Sequence, residues 1–250
     1  MSQLLSSFEP GANVAIVGAS GGIGSTFVRL LASDSGVRRV EAVARTPIIS
    51  GAAKVEALEC DIGYESSIVD ALKSIPEPDR QLDLVIVATG ILHDGTRLRP
   101  EKRLADVDAR AMADVMAINA IAPAIVAKHY LPRLRRDGKS VFAALSARVG
   151  SISDNRLGGW ASYRASKAAL NMLLRTFSIE HARTHPGSVV VALHPGTVAT
   201  RLSAPFQKRV PEGKLFSPEK SVTHLLSVID GLDASASGGF YAWDGKPIEY

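Results

Sequence analysis

The hydrophobic positions along the chain fall into two kinds of pattern. Seven short segments are predicted to be strands: residues 13–18, 39–44, 54–60, 82–89, 140–146, 188–196 and 238–245. The runs at 13–18 and 82–89 are almost uninterruptedly apolar, which is typical of strands buried on both faces of a parallel sheet. Five longer segments have apolar residues three and four positions apart, which predicts amphipathic helices: residues 22–33, 64–75, 106–134, 159–183 and 217–232. The two patterns alternate along the chain, except that the segments at 39–44 and 54–60 follow each other directly.

This alternation predicts an α/β fold with three layers, in which a doubly wound sheet of about seven parallel strands is covered by helices on both faces. No internal repeat, low-complexity tract or linker-like break interrupts the pattern, so we expect residues 1–250 to form a single domain. Residues 200–216 should be irregular, and the long helix at 106–134 should kink near Pro123. Ser217 is the predicted N-cap of the last helix.

Composition narrows the classes of protein. With 46% hydrophobic and 22% charged residues, the chain can bury a sizeable core. The formal net charge is +4, but the basic clusters at 97–103 and 133–136 lack interleaved aromatics. We therefore expect these clusters to be solvated surface or a site for an anionic ligand, and not a nucleic-acid site. Cys60 is the one cysteine, which fits a reducing compartment. Because the N-terminus has no secretory pattern and no long window is uninterruptedly apolar, we expect a cytoplasmic protein with no membrane partner.

The first strand leads into a glycine-rich loop, VGASGGIG at residues 17–24, which opens the first helix. Gly18 permits a tight turn, while Gly22 and Gly24 let the backbone approach a pyrophosphate and let the helix pack on the sheet. The helix N-terminus would offer N–H groups and a partial positive charge to the phosphates. The predicted cofactor loop also includes Ser20, Gly21 and Ile23. The alternative is a glycine-rich turn with no ligand.

The end of the second strand indicates which dinucleotide binds. An acidic residue there would bind the ribose 2′-hydroxyl of NAD(H), whereas a basic residue would pair with the 2′-phosphate of NADP(H). The strand ends in Arg45, with Glu41 in mid-strand, so we predict NADP(H), with NAD(H) less favoured. The alternative is that Arg45 is a solvated loop residue. Asp61, followed by Ile62, could meet the adenine or cap the next helix.

The stretch WASYRASKAAL places Tyr163 and Lys167 four residues apart on one face of a helix. Carbonyl reduction needs a proton donor, and a nearby ammonium would lower the pKa of a tyrosine, which ordinarily lies near 10. Taken alone, such a pair is more often the exposed face of an ordinary helix. Its position favours catalysis, because Ser146 ends the preceding strand, where a parallel sheet delivers residues into a ligand crevice.

These motifs, in this order and at these separations, resemble the short-chain dehydrogenase/reductase family over nearly the whole chain. The matching positions are Gly18, Gly22, Gly24, Asp61, Asn119, Ser146, Tyr163, Lys167 and residues 194–200. The resemblance implies a single-domain Rossmann fold and NADP(H)-dependent interconversion of a ketone or aldehyde and an alcohol. More loosely, the chain is similar to the C-factor and carbonyl-reductase-like members of the family.

The resemblance also implies roles for the matching residues. Tyr163 would be the general acid in reduction and the base in oxidation, and Lys167 would lower its pKa and bind the nicotinamide ribose. Ser146 would orient and polarise the carbonyl, and Asn119 would hold a water that links Lys167 to solvent. The remaining cofactor contacts would come from Thr89, Gly90, Pro195, Gly196 and Val198.

The substrate would be a small carbonyl or alcohol bound among residues 90–100, 147–160 and 201–216, the last being the substrate-binding loop. Lys208 and Arg209 could suit an anionic substrate.

Apolar positions on the two long helices predict a homodimer or homotetramer, or else ordinary packing against the sheet. His181 and His185 have a metal-like spacing but lie at a helix end with no third ligand nearby, so no metal site is expected. The alternative function is a dinucleotide-binding sensor or signalling protein with little turnover. A nucleotide-sugar epimerase or dehydratase would need a larger C-terminal domain than this chain carries after residues 195–196.

Overall fold

The computed structural model of the protein describes residues 3–76 and 81–250. Its strands are β1 (Ala12–Val17), β2 (Val37–Ala44), β3 (Val55–Glu59), β4 (Leu84–Val87), β5 (Ser140–Leu145), β6 (Ser188–His194), β7 (Thr197–Val198), β8 (Leu215–Phe216) and β9 (Phe240–Ala242). One seven-stranded sheet has the order β3-β2-β1-β4-β5-β6-β9, and all of its pairings are parallel. The predicted doubly wound α/β sheet of seven parallel strands is confirmed.

Helices cover both faces of this sheet. They are α1 (Gly22–Ser33), α2 (Glu65–Lys73), α3 (Ala109–Met116), α4 (Ala122–Tyr130), α5 (Ala161–His181) and α6 (Pro218–Gly231). On one face, α1 and α6 bury Phe27 and Leu225 against the strands. On the other face, α2, α4 and α5 bury Ile68, Val126 and Leu170. The two apolar layers remove both sheet faces from water, which accounts for the unbroken hydrophobic runs of the strands.

The strand order reverses at β1, which lies between β2 and β4. The chain first places β2 and β3 to one side of β1, and then returns to build β4 on the other side. The loops that follow β1 and β4 therefore diverge at the carboxyl ends of these strands and leave a crevice between them, which is where ligands bind in sheets of this kind. The predicted phosphate loop leads out of β1 at this edge.

The helix predicted at residues 106–134 extends over Ala109–Arg133 and changes its hydrogen-bond pattern in the middle. A π-helical turn, Ala117–Ile121, separates α3 from α4, so the irregularity expected near Pro123 lies just before it. A proline has no N–H to continue the α-helical ladder, and the π turn absorbs this mismatch. The turn carries Asn119, which is fully buried.

This helical stretch also resembles a membrane-spanning helix in length and composition. Over Ala109–Arg133 the chain is long and apolar enough to cross a membrane, with a mean hydropathy of 1.4 in its most apolar window. Of that window, 39% is buried inside the protein. Helices that line the core of a globular domain can have the same length and composition, because they too are predominantly apolar.

The helix that carries the WASYRASKAAL stretch begins later than predicted. Gly158, Gly159 and Trp160 have φ angles of 62°, 67° and 55°, which a right-handed helix cannot contain. Trp160 is the one non-glycine residue with positive φ in the described part of the chain. Its N–H donates to the carbonyl of Glu101 at 2.6 Å, and the Glu101 carboxylate accepts from the hydroxyl and the N–H of Ser162. A neighbouring loop therefore caps this helix.

The segment at 200–216, predicted to be irregular, is partly regular. It contains a 3₁₀ helix, Ala204–Arg209, and ends in β8, which pairs in parallel with β7. The predicted N-cap of the last helix is confirmed, because the Ser217 hydroxyl accepts from the Lys220 N–H at 3.2 Å. The segment is thus anchored at both ends and crosses the carboxyl edge of the sheet between them.

Candidate active site

The loop between β1 and α1 is shaped for the close approach of a ligand. Gly18 has a φ of 92°, and a Cβ at this position would lie 2.8 Å from the Thr89 side chain. A Cβ at Gly24 would lie 2.1 Å from the Gly18 carbonyl oxygen, so backbone packing requires both glycines. Gly21 precedes α1 and no side chain caps the helix, which leaves N–H groups of its first turn available to an anion. The loop therefore fits a phosphate group.

A cleft of about 1020 Å³ extends from this loop to α5. Its volume suits a site that holds a dinucleotide and a second small molecule. The predicted site residues that line it are Ser20, Gly21, Gly22, Ile23, Arg45, Thr89, Gly90, Ser146, Tyr163, Lys167 and Pro195. Residues 91–95 and 200–202, which fall mainly in the predicted substrate segments, also line it, as do Ala88 and Leu145. One cavity thus joins the phosphate loop to the predicted proton-transfer residues.

Three of these residues meet at the carboxyl end of β5. Ser146 directly follows this strand, while Tyr163 and Lys167 lie one turn apart on α5. All three are buried, with exposed fractions of 4%, 8% and 3%. The Lys167 ammonium donates to the Leu145 carbonyl at 2.8 Å and lies 5.9 Å from the centre of the Tyr163 ring. The structure therefore brings together the groups that the sequence predicted to act on one substrate.

Burial governs the acid–base properties of this pair. Loss of hydration raises the pKa of Tyr163 to about 12 and lowers the pKa of Lys167 to about 8. Both shifts favour the neutral forms, so in the protein alone burial outweighs the expected lowering of the tyrosine pKa by the lysine. The phenol keeps its proton over the neutral pH range, which is the form that a general acid needs.

Asn119 holds the loop after β4 rather than lining the cleft. Its Oδ1 accepts from the N–H of Ile91 at 2.8 Å, and its Nδ2 donates to the Ile91 carbonyl at 2.8 Å and to the Ser166 hydroxyl at 3.1 Å. The side-chain amide therefore connects the β4 loop, the π turn and α5. That Asn119 also holds a water for proton transfer stays a prediction.

Other predicted cofactor residues lie outside the lining of this cleft. A Cβ at Gly196, whose φ is 78°, would come within 2.8 Å of the Phe216 ring, so this glycine is required by packing. Val198 is buried with an exposed fraction of 4%. The Asp61 carboxylate accepts from the Gly63 N–H at 2.9 Å and forms a turn. The cap of α2 suggested for Asp61 is wrong, because no side chain caps that helix; the adenine contact of Asp61 and Ile62 stays a prediction.

An aromatic row, whose contacts to Phe206 and His93 the sequence did not predict, crosses the substrate side. The Trp160 ring contacts the Tyr163 ring edge-on, with centroids 6.3 Å apart, and the Phe206 ring at 4.9 Å. Phe206 in turn meets His93 at 6.1 Å, and His93 Nε2 lies 3.1 Å from the Leu202 carbonyl oxygen. Phe206 lies in the predicted substrate-binding loop, so this row connects that loop to the start of α5. Pairing between distant segments carries no local sequence signal.

The sequence also missed Asn171, whose Oδ1 accepts from the Ser146 hydroxyl at 2.7 Å. A signal was present, since residues at i, i+4 and i+8 lie on one helix face, and Asn171 follows Tyr163 and Lys167 at this spacing. A buried polar side chain at that position points to a specific hydrogen-bond partner.

His181 and His185 do not form part of a metal cluster. In the described residues no group of three or more His, Cys, Asp or Glu side chains is placed to hold a metal ion. The two imidazoles stack with centroids 4.0 Å apart. Burial and the neighbouring ring lower the pKa of His181 to about 4, so both rings are neutral near pH 7.

Comparison with known proteins identifies the family. The short chain dehydrogenase family model matches residues 12–211. The chain therefore belongs to the short-chain dehydrogenase family, and it is an oxidoreductase with carbonyl-reductase-like relatives.

Two proteins with different names are similar to this chain in sequence. The C-signal protein of Myxococcus xanthus is 39% identical over 147 residues, which cover 59% of this chain and 83% of the relative. The 1-hydroxy-2-glutathionyl-2-methyl-3-butene dehydrogenase of Rhodococcus sp. strain AD45 is 30% identical over 190 residues, 76% of this chain and 78% of the relative.

Two solved structures share the fold over nearly the whole length. An NADPH-bound carbonyl reductase from chicken fatty liver is 28% identical with a TM-score of 0.83, and covers 96% of this chain and 100% of that one. A carbonyl reductase from Pseudomonas aeruginosa PAO1 is 29% identical with a TM-score of 0.73 and the same coverage.

Proposed function

We propose that the protein transfers a hydride between NADP(H) and a small carbonyl or alcohol, reducing a ketone or aldehyde in one direction and oxidising the alcohol in the other. The observation that carries the proposal is the common cleft, in which Ser146, Tyr163 and Lys167 face the same space as the phosphate loop at residues 20–23. A buried proton donor and a dinucleotide site within one cavity are the two requirements of carbonyl reduction that a protein must meet.

The bound cofactor supplies or accepts the hydride, and the residues of this chain supply orientation and proton transfer. Tyr163 donates its phenolic proton to the carbonyl oxygen in reduction and accepts one in oxidation. Lys167 stabilises the phenolate that remains, because an ammonium next to the ring favours the charged form of the tyrosine. Ser146 holds the carbonyl oxygen beside the phenol.

The cofactor proposal rests on Arg45 and on the NADPH-bound relative. Arg45 is exposed at the end of β2, lines the cleft and makes no ion pair within the described residues, so its guanidinium is available to a 2′-phosphate. Thr89 has a buried hydroxyl without a hydrogen-bond partner in the described part of the chain, which fits a polar ligand at the β4 loop. With Gly90, Pro195 and the loop at 20–23, it would hold the cofactor.

The substrate would lie between the aromatic row and the catalytic residues. Trp160 and Phe206 offer an apolar wall next to Tyr163. Arg201 lines the cleft and is exposed, which favours a substrate with a negative group near the mouth. Lys208 is exposed but does not line this cleft. The side chain of Arg209 lies outside the described part of the structure.

A second function is favoured by one relative. The similarity to the C-signal protein, at 39% identity over 147 residues, supports a dinucleotide-binding signalling protein with little turnover. In that case the dinucleotide would bind and the proton-transfer residues would serve only to hold it.

The test measures NADPH oxidation with a panel of ketones and aldehydes, on the wild type and on Tyr163→Phe. We expect turnover of at least one compound by the wild type and a loss of about 10³-fold in kcat/KM for the variant. NADPH fluorescence in the same proteins reports cofactor binding and should change little. Equal turnover by both proteins would exclude Tyr163 as the acid, and tight NADPH binding without turnover would favour the signalling function.

The remaining proposals concern the localisation, the partners and the oligomeric state of the protein. We propose that the chain acts as a single domain in the cytoplasm, without nucleic-acid or membrane partners, and as a homodimer or homotetramer. Ile121 and Met172 support the assembly, because these apolar side chains are 55% and 66% exposed on the long helices. Sedimentation of the wild type and of the double variant Ile121→Lys, Met172→Lys tests it, and a monomeric wild type would contradict it.

A further inference from the structure

The side chain next to Ser146 is unusual in its hydrogen bonding. Asn171 is 2% exposed, and its Oδ1 accepts from the Ser146 hydroxyl at 2.7 Å. Its Nδ2 is buried and has no hydrogen-bond partner within the described residues. Buried amides in folded proteins are nearly always hydrogen-bonded, so an unsatisfied one that touches an active-site hydroxyl needs a physical explanation.

The direction of the Ser146 bond matters for the reaction. A serine hydroxyl has one proton and two acceptor lone pairs. While the proton is donated to Asn171, Ser146 presents only lone pairs to the cleft. A carbonyl oxygen is itself an acceptor, so Ser146 cannot bind it in this arrangement.

Turning the amide of Asn171 over would give the buried Nδ2 an acceptor and would free the Ser146 proton for a carbonyl oxygen. The oxygen and the NH₂ group of an amide are almost equal in size, so rotation about the last side-chain bond keeps the packing. Nδ2 would then donate to the Ser146 oxygen, and one unsatisfied N–H would gain an acceptor. The hydroxyl proton of Ser146 would be released toward the cleft.

We propose that Asn171 is the positioning residue of Ser146, and that its amide, turned to donate to the Ser146 oxygen, directs the hydroxyl proton to the carbonyl oxygen of the substrate. This rests on the carbonyl reduction proposed above. In the arrangement of the structure Asn171 accepts the proton of Ser146, and in the turned arrangement it releases that proton. Asn171 touches neither substrate nor cofactor and acts through Ser146 alone.

The first test replaces the Asn171 amide by a carboxyl group, which can donate a hydrogen bond only when it is protonated. In Asn171→Asp, an ionised carboxylate can only accept, so it keeps the Ser146 proton and should lower kcat about 100-fold, as loss of an oxyanion donor does. A protonated carboxyl can donate, so the ratio of variant to wild-type kcat should rise as the pH falls. Tyr163, Lys167 and His194 titrate in both proteins, and the ratio removes their effect.

The second test removes the interaction without adding charge. Asn171→Leu leaves the Ser146 hydroxyl unguided, and we expect a decrease of about tenfold in kcat, the loss of one hydrogen bond, with KM changed by less than about threefold. Asn13→Asp is the matched control, since Asn13 is a buried asparagine at the far end of β1 that donates to the Gln81 carbonyl. It should lower stability without changing the pH dependence of kcat.

The third test asks whether Asn171 acts through Ser146. In a Ser146→Ala background, Asn171→Leu should cost no further activity, whereas independent effects would multiply. A Ser146→Ala enzyme that loses a further tenfold, or an Asn171→Asp enzyme whose ratio to wild type does not vary with pH, would overturn the proposal. A wild type without any carbonyl turnover would instead refute the proposed function, so the two failures are distinguishable.

A spectroscopic readout covers the case in which the aspartate variant does not fold. The side-chain ¹⁵NH₂ signal of Asn171, assigned by its loss in Asn171→Leu, should shift when an unreactive ketone analogue binds with NADP⁺. In Ser146→Ala the shift should be absent. A signal that stays in place in the wild type would show that the amide does not turn and would overturn the proposal.

Discussion

The two ends of the central sheet differ in whether a buried charge has a partner of opposite charge. At the amino ends of the strands, Arg133 lies beside Leu82, and its guanidinium donates at 2.6 and 3.1 Å to the fully buried Glu41 carboxylate in the middle of β2. Asp83, directly before β4, is paired with Arg135. At the carboxyl end, the buried Lys167 ammonium has the Leu145 carbonyl as its partner, and no carboxylate of the described residues pairs with it.

The paired charges contribute to the stability of the fold, whereas the unpaired Lys167 ammonium lies at the site of the proposed reaction. A buried charge that meets its opposite in good geometry is complete within the protein, whereas a buried ammonium without a counter-charge costs folding free energy. Thr89 and Asn171 add buried polar atoms without partners in the described part of the molecule at the same carboxyl edge. The buried charge at the carboxyl edge is therefore one that a ligand would complement, whereas the buried Glu41 and Asp83 carboxylates already have cationic partners.

The largest expected effect is at Lys167. Lys167→Met should lower kcat/KM by about 10³-fold, because the phenolate loses its stabilising cation. The same change should raise the free energy of unfolding at pH 7 by about 1–2 kcal/mol, because it removes a buried ammonium whose pKa is lowered to about 8. Urea unfolding and steady-state kinetics measure the two effects. Lys128→Met, at an exposed lysine paired with Glu65, is the control and should alter neither; a destabilised Lys167→Met would contradict the comparison.

The opposite result is expected at the other end of the sheet. Arg133→Met leaves Glu41 buried beside fewer positive charges and should lower the free energy of unfolding by about 3 kcal/mol. At a temperature where the variant is folded, kcat should stay within about twofold of the wild type. Arg103→Met breaks an exposed pair with Asp106 and should cost less than about 1 kcal/mol. Loss of kcat in folded Arg133→Met would show that the two ends are not independent.

At the carboxyl end, Arg45 should decide the choice of dinucleotide. Arg45→Asp replaces a cation by an anion where the 2′-phosphate would bind, and the ratio of kcat/KM with NADPH to that with NADH should fall about 100-fold. Stability should not change, since Arg45 is exposed. Kinetics with both cofactors measure the ratio; a ratio that survives the substitution would assign the 2′-phosphate to other residues.

The smallest effect concerns the stacked histidines near the amino end of β6. Burial lowers the pKa of His181 to about 4 from an unfolded value near 6.5. The unfolded chain therefore binds more protons between these values, and stability is full above about pH 6.5 and decreases as the pH falls toward 4, by on the order of 2 kcal/mol. His181→Phe should flatten this decrease, whereas His129→Gln, at a histidine that faces Glu65, should not. Urea midpoints between pH 7 and pH 4.5 test it.

Local patterns predicted most of the fold because they report on burial at each position. The short apolar segments identified all seven strands of the parallel sheet, and residues 20–23 of the glycine loop line the same cleft as Tyr163 and Lys167. The same reasoning misjudged the basic cluster at 133–136, taken as solvated surface or an anion site. The side chain of Arg133 is 9% exposed and binds Glu41, a partner 92 residues away in sequence.

The sequence by itself determined the strand and helix order, the phosphate loop and the spacing of the proton-transfer pair, because these depend on neighbours within one or two turns of chain. Tertiary structure decided which polar groups find partners. Only the folded chain shows that Asn171 holds Ser146 and that Phe206 reaches Trp160. It also shows that burial reverses the expected pKa shift of Tyr163. Hydrogen bonding and desolvation depend on what surrounds a group in space, and residues far apart in sequence supply those surroundings.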